Sequence, residues 1–319
     1  MYIGDSSPRE SLASLQIHTV PSERRARTPD RRSKPQNVDP NRDQREFWDG
    51  EVGEIWIKHQ ALLDDQLEAF SRTMFDRAQI RLGQSVVDVG CGCGTDSLTA
   101  ARKTGPAGRV LGLDFSRPML SRAATRAAEN ELYQIDLLQA DAQTHPFAAG
   151  SIDRIISRFG VMFFADPTAA FANLAAALAP AGRMTFLTWQ SVDKNPWMML
   201  PVVEALQLVE MDLPLDPHGP GPFTFADANR LYRILRDAGF ARVQIEAYEP
   251  QLAVAGGSTL DDAVEFVMEF LPMRRALMRA TCEEREHVHE AIRGAIGPYE
   301  RAGGVIMPSA AWLVNAYKS

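Results

Sequence analysis

Between residues 85 and 189, short apolar runs alternate with stretches whose apolar positions recur every three to four residues. That alternation predicts a strand at about 85–89, a helix at 95–103, a strand at 109–113 and a helix opening at Ser116. It continues with strands near 135–140 and 152–157, a helix at 167–179 and a strand near 183–189. Strands separated by helices imply βαβ units and a parallel sheet, and right-handed crossovers place helices on both faces. Upstream, Leu63, Leu67, Phe70 and Met74 recur at helical spacing, so "WIKHQALLDDQLEAFSRTMFDRAQI" reads as one or two amphipathic helices packed as a lid on the alternating region. After Gln190 a Pro- and Met-rich insertion, "NPWMMLPVVEALQLVEMDLPLDPHGPGPF", breaks the rhythm. A helix at 226–238 comes next, with Gly239 suited to its C-cap. Helical stretches at about 261–279 and 283–300 precede a final strand in "AAWLVNAYKS". No internal repeat is present.

Residues 1–44 depart from this pattern: they are rich in Arg, Asp, Ser and Pro and poor in aromatics, so they cannot bury enough apolar area to offset their ordering entropy. The expectation is a disordered tail at 1–44 and one domain at 45–319, with a substrate-cap insertion at about 190–225 and cap helices at about 259–302. Charge narrows the partners: 41 acidic against 34 basic residues give a net charge of -7, without the cationic footprint that nucleic acid or an anionic membrane selects. No uncharged apolar run approaches the roughly 18 to 20 residues of a membrane span. Cys91, Cys93 and Cys282 are too few for a disulfide framework, and the C-x-C pair lacks the companions of a zinc site. His287 and His289, two apart on a predicted helix, face different ways. The reading is therefore a cytoplasmic protein that binds no metal, no nucleic acid and no membrane.

Chemistry enters with "VVDVGCGCGTDSL", residues 86–98, where Gly90, Gly92 and Gly94 occupy a strand-to-helix turn. Glycine admits backbone conformations closed to other residues and lacks the Cβ that would hold a ligand away. A tight turn alone explains such a motif, but a second apolar strand ends in Asp114, 20 residues beyond Gly94, where a carboxylate can accept both ribose hydroxyls of an adenosine. The nicotinamide fingerprint G-x-G-x-x-G fails, because the sixth position from Gly90 is Thr95. A third strand ends in Asp141-Ala142, a pair able to meet an adenine amino group and a ring nitrogen, or simply to form a turn.

Taken together and in order, "VVDVGCGCGTDSL", "GLDFSRPML", "ADAQTHPF", "SRFGVMFFADP" and "LAPAGRMTFLTWQ" resemble the class I S-adenosylmethionine-dependent methyltransferases. More narrowly they are similar to the bacterial small-molecule branch related to the ubiquinone/menaquinone C-methyltransferases. The resemblance implies an α/β, Rossmann-like, seven-stranded, mostly parallel sheet with one antiparallel strand near the C-terminus, and S-adenosylmethionine as cofactor. By that resemblance Gly90, Cys91 and Gly92 line the methionine part, Asp114 and Phe115 hold ribose and adenine, Asp141 and Ala142 bind adenine, and Ser157 lies beside the sulfonium. Asp88, Gly94, Met119 and Phe159 complete the cofactor set, Phe159 through its aromatic face toward the cationic sulfur. One departure is Pro180-Ala181-Gly182, where the family commonly has Pro-Gly-Gly.

Methyl transfer from a sulfonium needs alignment and exclusion of water, and needs a base only for a protonated acceptor. Three residues are candidates for acceptor chemistry. His59 on the lid serves as a base or is a solvated helix residue. Arg158 binds an acidic substrate or the cofactor carboxylate, or forms a structural ion pair. Trp189 ends a strand on the ligand-binding edge. Trp56 and Lys58 either close over the methionine end or pack as plain helix residues. Acceptor specificity is expected after Gln190, where "NPWMML" and "EFVMEFLPMRRALM" supply apolar side chains to a pocket wall or to the core of a helical cap. The expected activity is methylation of a small hydrophobic or aromatic metabolite on O, N or C, and a homodimer is compatible with it. A peptide or protein methyltransferase, or a non-catalytic cofactor-binding module, are the alternatives.

Overall fold

The β-branched and apolar runs that succeed the glycine-rich and charged turns are buried on both faces, as strands between two layers of helices must be. The computed structural model describes residues 39–318 except 214, 215, 217 and 271. Three helices lead in: α1 (Arg42–Asp49), α2 (Glu51–Lys58) and α3 (Gln60–Ala78). Then come β1 (Ser85–Val89), α4 (Thr95–Thr104), β2 (Arg109–Asp114), α5 (Arg117–Glu129), β3 (Ile135–Gln139), β4 (Ile152–Arg158), α6 (Pro167–Ala177) and β5 (Leu178–Trp189). Beyond β5 lie α7 (Pro196–Leu206), α8 (Ala228–Asp237), β6 (Arg242–Tyr248), β7 (Gln251–Ala253), α9 (Leu260–Met268), α10 (Met273–Arg279) and α11 (Cys282–Ile296). The last strands are β8 (Glu300–Arg301), β9 (Gly304–Pro308) and β10 (Ala311–Tyr317).

Seven strands form one sheet in the order β3-β2-β1-β4-β5-β10-β6, parallel from β3 to β5, with β10 antiparallel to both β5 and β6. Chain order reverses between β1 and β4, so the carboxyl ends of these two strands flank a crevice of the kind ligands occupy in open α/β sheets. Helix α3 lies over the crevice side: Phe70 and Met74 are fully buried, and Phe70 meets Phe159 and Trp189 edge-on at 5.4 and 5.2 Å. A second sheet, β7-β9-β8, sits among the C-terminal helices.

Several elements differ from the sequence reading. Arg42–Asp49 is helical and Asn41 is buried, so order begins inside the stretch expected to be a disordered tail; residues 1–38 of that expectation lie outside the described residues. Strand β5 starts at Leu178, five residues early, because "APAG" bulges out of register between the pairs Ile152/Leu178 and Arg154/Arg183, with Ala181 at φ +60. The helix expected at 261–279 is broken into α9 and α10 around Pro272. Strand β6 and the small sheet were not anticipated. "RVQIEAY" is a half-exposed alternation directly behind a helix, and part of the small sheet falls in the segment assigned to the end of α11. Among the described residues, no helix is long and apolar enough to cross a membrane.

Candidate active site

The turn after β1 is left-handed three times over: Gly90, Gly92 and Gly94 have φ of +70, +53 and +84. Their surroundings differ. A Cβ on Gly90 would lie 2.7 Å from the Cα of Gly160, and one on Gly94 would lie 2.8 Å from the Cβ of Ala123, so these two glycines permit protein-protein contact. A Cβ on Gly92 would meet nothing closer than the Met119 sulfur at 3.8 Å, which leaves this residue as the face a ligand can approach. The turn is pinned to β2, since the Gly90 and Cys91 amides donate to the Leu113 carbonyl at 2.8 and 3.0 Å.

Asp114 ends β2 with its carboxylate already engaged by two backbone amides, Gly92 N on Oδ2 and Ser116 N on Oδ1, both at 2.8 Å. Burial nevertheless raises its pKa above the ordinary value, against the pull of those amides. Ser116 caps α5 and holds Met119 N at 3.4 Å; Met119 itself is buried. Phe115 lies under the Arg45 guanidinium, 5.5 Å from the ring centre. Asp141 is likewise engaged: its Oδ2 accepts from Asn41 Nδ2 and its Oδ1 from Gln143 N, both at 2.8 Å, and buried Ala142 is next in the chain. The sequence offered no signal for Asn41, because it sits in a polar stretch that reads as tail.

Two expected residues make contacts within the protein itself. Ser157 Oγ donates to the Val89 carbonyl at 2.7 Å and accepts from Gly160 N at 3.2 Å, stitching the ends of β1 and β4 together. Its hydroxyl is engaged by buried backbone groups. Trp189 stacks on Phe159 at 3.8 Å and 8° and packs against Phe70 and Trp197, so it backs Phe159 rather than lining the cleft. Phe159 does line it, at φ +65, a strained conformation for a bulky residue and of the kind found at binding sites.

The cleft beside Gly90 and Gly92 is walled by Trp56, Gln60 and Asp64 from the lid helices, by Asp96 at the start of α4, and by Arg158 and Phe159 at the end of β4. Asp64 accepts from Thr95 Oγ1, Gln60 Nε2 and Arg126 Nη2. Arg158 Nε pairs with Asp96 Oδ2 at 2.8 Å, while Arg158 Nη1 and Asp96 Oδ1 are buried without a hydrogen-bond partner. Asp88, beneath them, accepts from Ser97 Oγ at 2.7 Å; burial foremost, and then the charge of Asp96, push its pKa to about 7. Burial also raises the Cys91 thiol well above its usual range and Cys93 to about 11, so neither is a thiolate at neutral pH. Asp64 and Asp96 escaped the sequence reading because a carboxylate in the first turn of a helix, or on its polar stripe, is ordinary helix chemistry.

His59, between α2 and α3, faces the cap. Its Nε2 lies 2.8 Å from Glu269 Oε2, and its ring packs on Phe266 and Phe270 at 5.3 and 5.9 Å. It does not line the cleft, although Trp56 and Gln60 on either side do. Lys58 pairs with the same carboxylate; burial would raise Glu269, yet the hydrogen bonds from Lys58 and His59 hold it below the ordinary value. Among the described residues, no three His, Cys, Asp or Glu side chains stand together in a way that would hold a metal.

The strand order, the single antiparallel strand and the glycine turn beside an acidic strand end define a class, and residues 86–182 match the family described as a methyltransferase domain. Over that stretch the chain is similar to the class I S-adenosylmethionine-dependent methyltransferases. It is 29% identical over 224 residues to nocamycin O-methyltransferase of Saccharothrix syringae, covering 66% of this chain and 80% of that protein. It is 29% identical over 178 residues to demethylmenaquinone methyltransferase of Lactococcus lactis, covering 52% of this chain and 69% of that protein. The chain spans from 37% to 80% of the length of the first curated relatives it matches. Among solved structures, the YcgJ protein of Bacillus subtilis shares the fold with a TM-score of 0.53 at 17% identity, over 78% of this chain and 97% of that one.

Proposed function

We propose that the chain transfers the methyl group of S-adenosylmethionine to a small hydrophobic or aromatic metabolite. The observation that carries this reading is the run from Gly92, the one glycine of the turn with an open face, to the aromatic walls Trp56 and Phe159 at the other side of the cleft. The residues fit the cofactor: the turn carries no Cβ at its approachable point, Asp114 and Asp141 end adjacent strands, and buried polar atoms at the glycine end lack partners. When bound, the cofactor supplies an activated methyl group on a sulfonium. Asp114 and Phe115 hold its ribose and adenine, Asp141 and Ala142 the adenine edge, and Gly90 to Gly92 the methionine end. Phe159, buttressed by Trp189, excludes water from the reacting end and turns an aromatic face toward positive charge.

The acceptor enters on the side of the lid and cap, where Trp56 meets Phe270 edge-on at 6.3 Å and Trp48 meets Phe163 at 5.0 Å. An apolar ring-bearing molecule suits walls of this composition. The nocamycin and demethylmenaquinone methyltransferases support a small-molecule acceptor by name. Calorimetric titration with S-adenosylmethionine and S-adenosylhomocysteine tests the cofactor: micromolar binding of both is expected. Replacing Asp114 by Ala should weaken both by on the order of 1–3 kcal/mol through lost charge-assisted hydrogen bonds. Unchanged affinity in that variant overturns the ribose assignment.

A further inference from the structure

A row of cations crosses the main sheet at the end away from the cleft. Register places Arg154 of β4 beside Arg183 of β5, Arg183 beside Tyr317 of β10, and Tyr317 beside Arg242 of β6, so neighbouring strands carry these side chains on one face. Arg154 and Arg183 are half-buried and Arg242 is exposed. Arg81, exposed just beyond α3, adds its charge to the same group. Their partners are neutral. Arg154 donates to the Ala78 and Asp153 carbonyls at 3.1 and 2.7 Å, and Arg183 donates to Gln79 Oε1 at 2.9 Å and to the Tyr317 hydroxyl at 3.4 Å. Arg242 lies over the Tyr317 ring, 3.9 Å from its centre. Glu246, on the same face of β6, is taken by Arg77 at 2.8 Å.

Like charges held side by side destabilise a sheet unless something neutralises them. Burial foremost, and then the charge of Arg183, hold the Arg154 guanidinium below its ordinary pKa. The negative charge at hand is smaller than the positive: Asp153 beside Arg154, and the C-terminal carbonyls of α3, worth about half an elementary charge, face the whole group of guanidiniums. Planar guanidiniums fork onto phosphate oxygens. We propose that Arg81, Arg154, Arg183 and Arg242 bind a condensed phosphate, a string of linked phosphoryl groups that is free or carried by a nucleotide. The row is about 14 Å wide, three strand spacings, so a single phosphate meets only part of it whereas a string meets several forks. With a net charge of -7 the rest of the surface repels an extended polyanion, which favours a small ligand over nucleic acid or an anionic membrane. The site is separate from the cleft: it lies toward the amino ends of β4 and β5, and the cleft lies at the carboxyl end of β4.

The test is calorimetry on the full chain with sodium tripolyphosphate, inorganic phosphate and guanosine triphosphate, each against chloride of equal ionic strength. Guanosine is used because the cleft is read as an adenosine site. Tripolyphosphate should bind saturably and at least about tenfold more tightly than phosphate, and Arg242→Gln and Arg183→Gln should each weaken it by about fivefold or more, through lost charge-assisted bonds. Arg72→Gln removes the same charge from an exposed pair with Glu68 on α3, and should bind within about twofold of the unaltered protein. Guanosine triphosphate as tight as tripolyphosphate supports a nucleotide-borne string, and guanosine triphosphate weaker by about tenfold supports a free one. A failure to saturate, or equal losses in all three variants, overturns the site and leaves the arginines as a brace for the end of α3. Arg242 is exposed, so its variant keeps the question answerable where Arg183→Gln fails to fold.

Discussion

At the scale of single residues, Gly90 and Gly92 share a left-handed backbone yet should answer mutation differently. Alanine at Gly92 costs the conformational penalty alone, about 1–2 kcal/mol, while alanine at Gly90 adds a collision with Gly160 and should cost at least about 3 kcal/mol. Urea unfolding separates the two, and calorimetry should find that Gly92→Ala stays folded with weakened cofactor binding. Asp88 gives a pH dependence with a definite sign. Its pKa is about 7 in the fold against an ordinary 3.8, so the fold favours the neutral acid. The stability from this group is fully present below about pH 3.8, declines as pH rises toward 7 and is lost above it. Asp88→Asn is neutral throughout, so its thermal midpoint should gain on that of the unaltered protein between pH 4 and 8. A constant gap across that range would remove the charge argument.

At the scale of elements, the bulge in β5 makes its own prediction. Ala181 holds φ +60 where a side chain is strained, so Ala181→Gly should stabilise the fold by on the order of 1 kcal/mol, read from denaturant midpoints. The same bulge shows what the sequence left illegible. The apolar run 183–189 marked most of the buried part of β5, but of its first five residues only Leu178 pairs with β4, and the bulge that follows it interrupts any hydrophobic period. Strands β1, β2 and β4 were legible because both faces are buried; β6 was not, because its alternation is shared with exposed segments that have no structure. In the site, the glycine turn and the two strand-end aspartates were visible as spacing. Asn41, Asp64, Asp96 and Glu269 were invisible because each reaches the site from an element whose local sequence demands nothing of it. The lid was foreseen, but not the tightness of its fit: a Cβ on Gly53 in α2 would stand 2.5 Å from Ser116 Oγ, and Arg117 N donates to Asp49 Oδ1 at 2.7 Å.

At the scale of the whole molecule, the cleft is built by segments far apart in the chain. Trp56 and Asp64 come from the lid, Gly90 and Asp96 from the first βα unit, Arg158 from the fourth strand, and Glu269 braces the lid from the cap. A ligand bound there touches several of them at once and stabilises their common arrangement, by about 2.7 kcal/mol at 100 times its dissociation constant. Limited proteolysis should therefore cut near Gly50, between α1 and α2, in the free protein and be suppressed by saturating S-adenosylhomocysteine; equal cutting would mean that the lid is fixed without ligand. That bracing has a cellular consequence. If the ligand is the methyl donor proposed above, copies without it should open first and be degraded first, and the amount of this protein in a cell should follow the supply of that donor as well as the rate of synthesis.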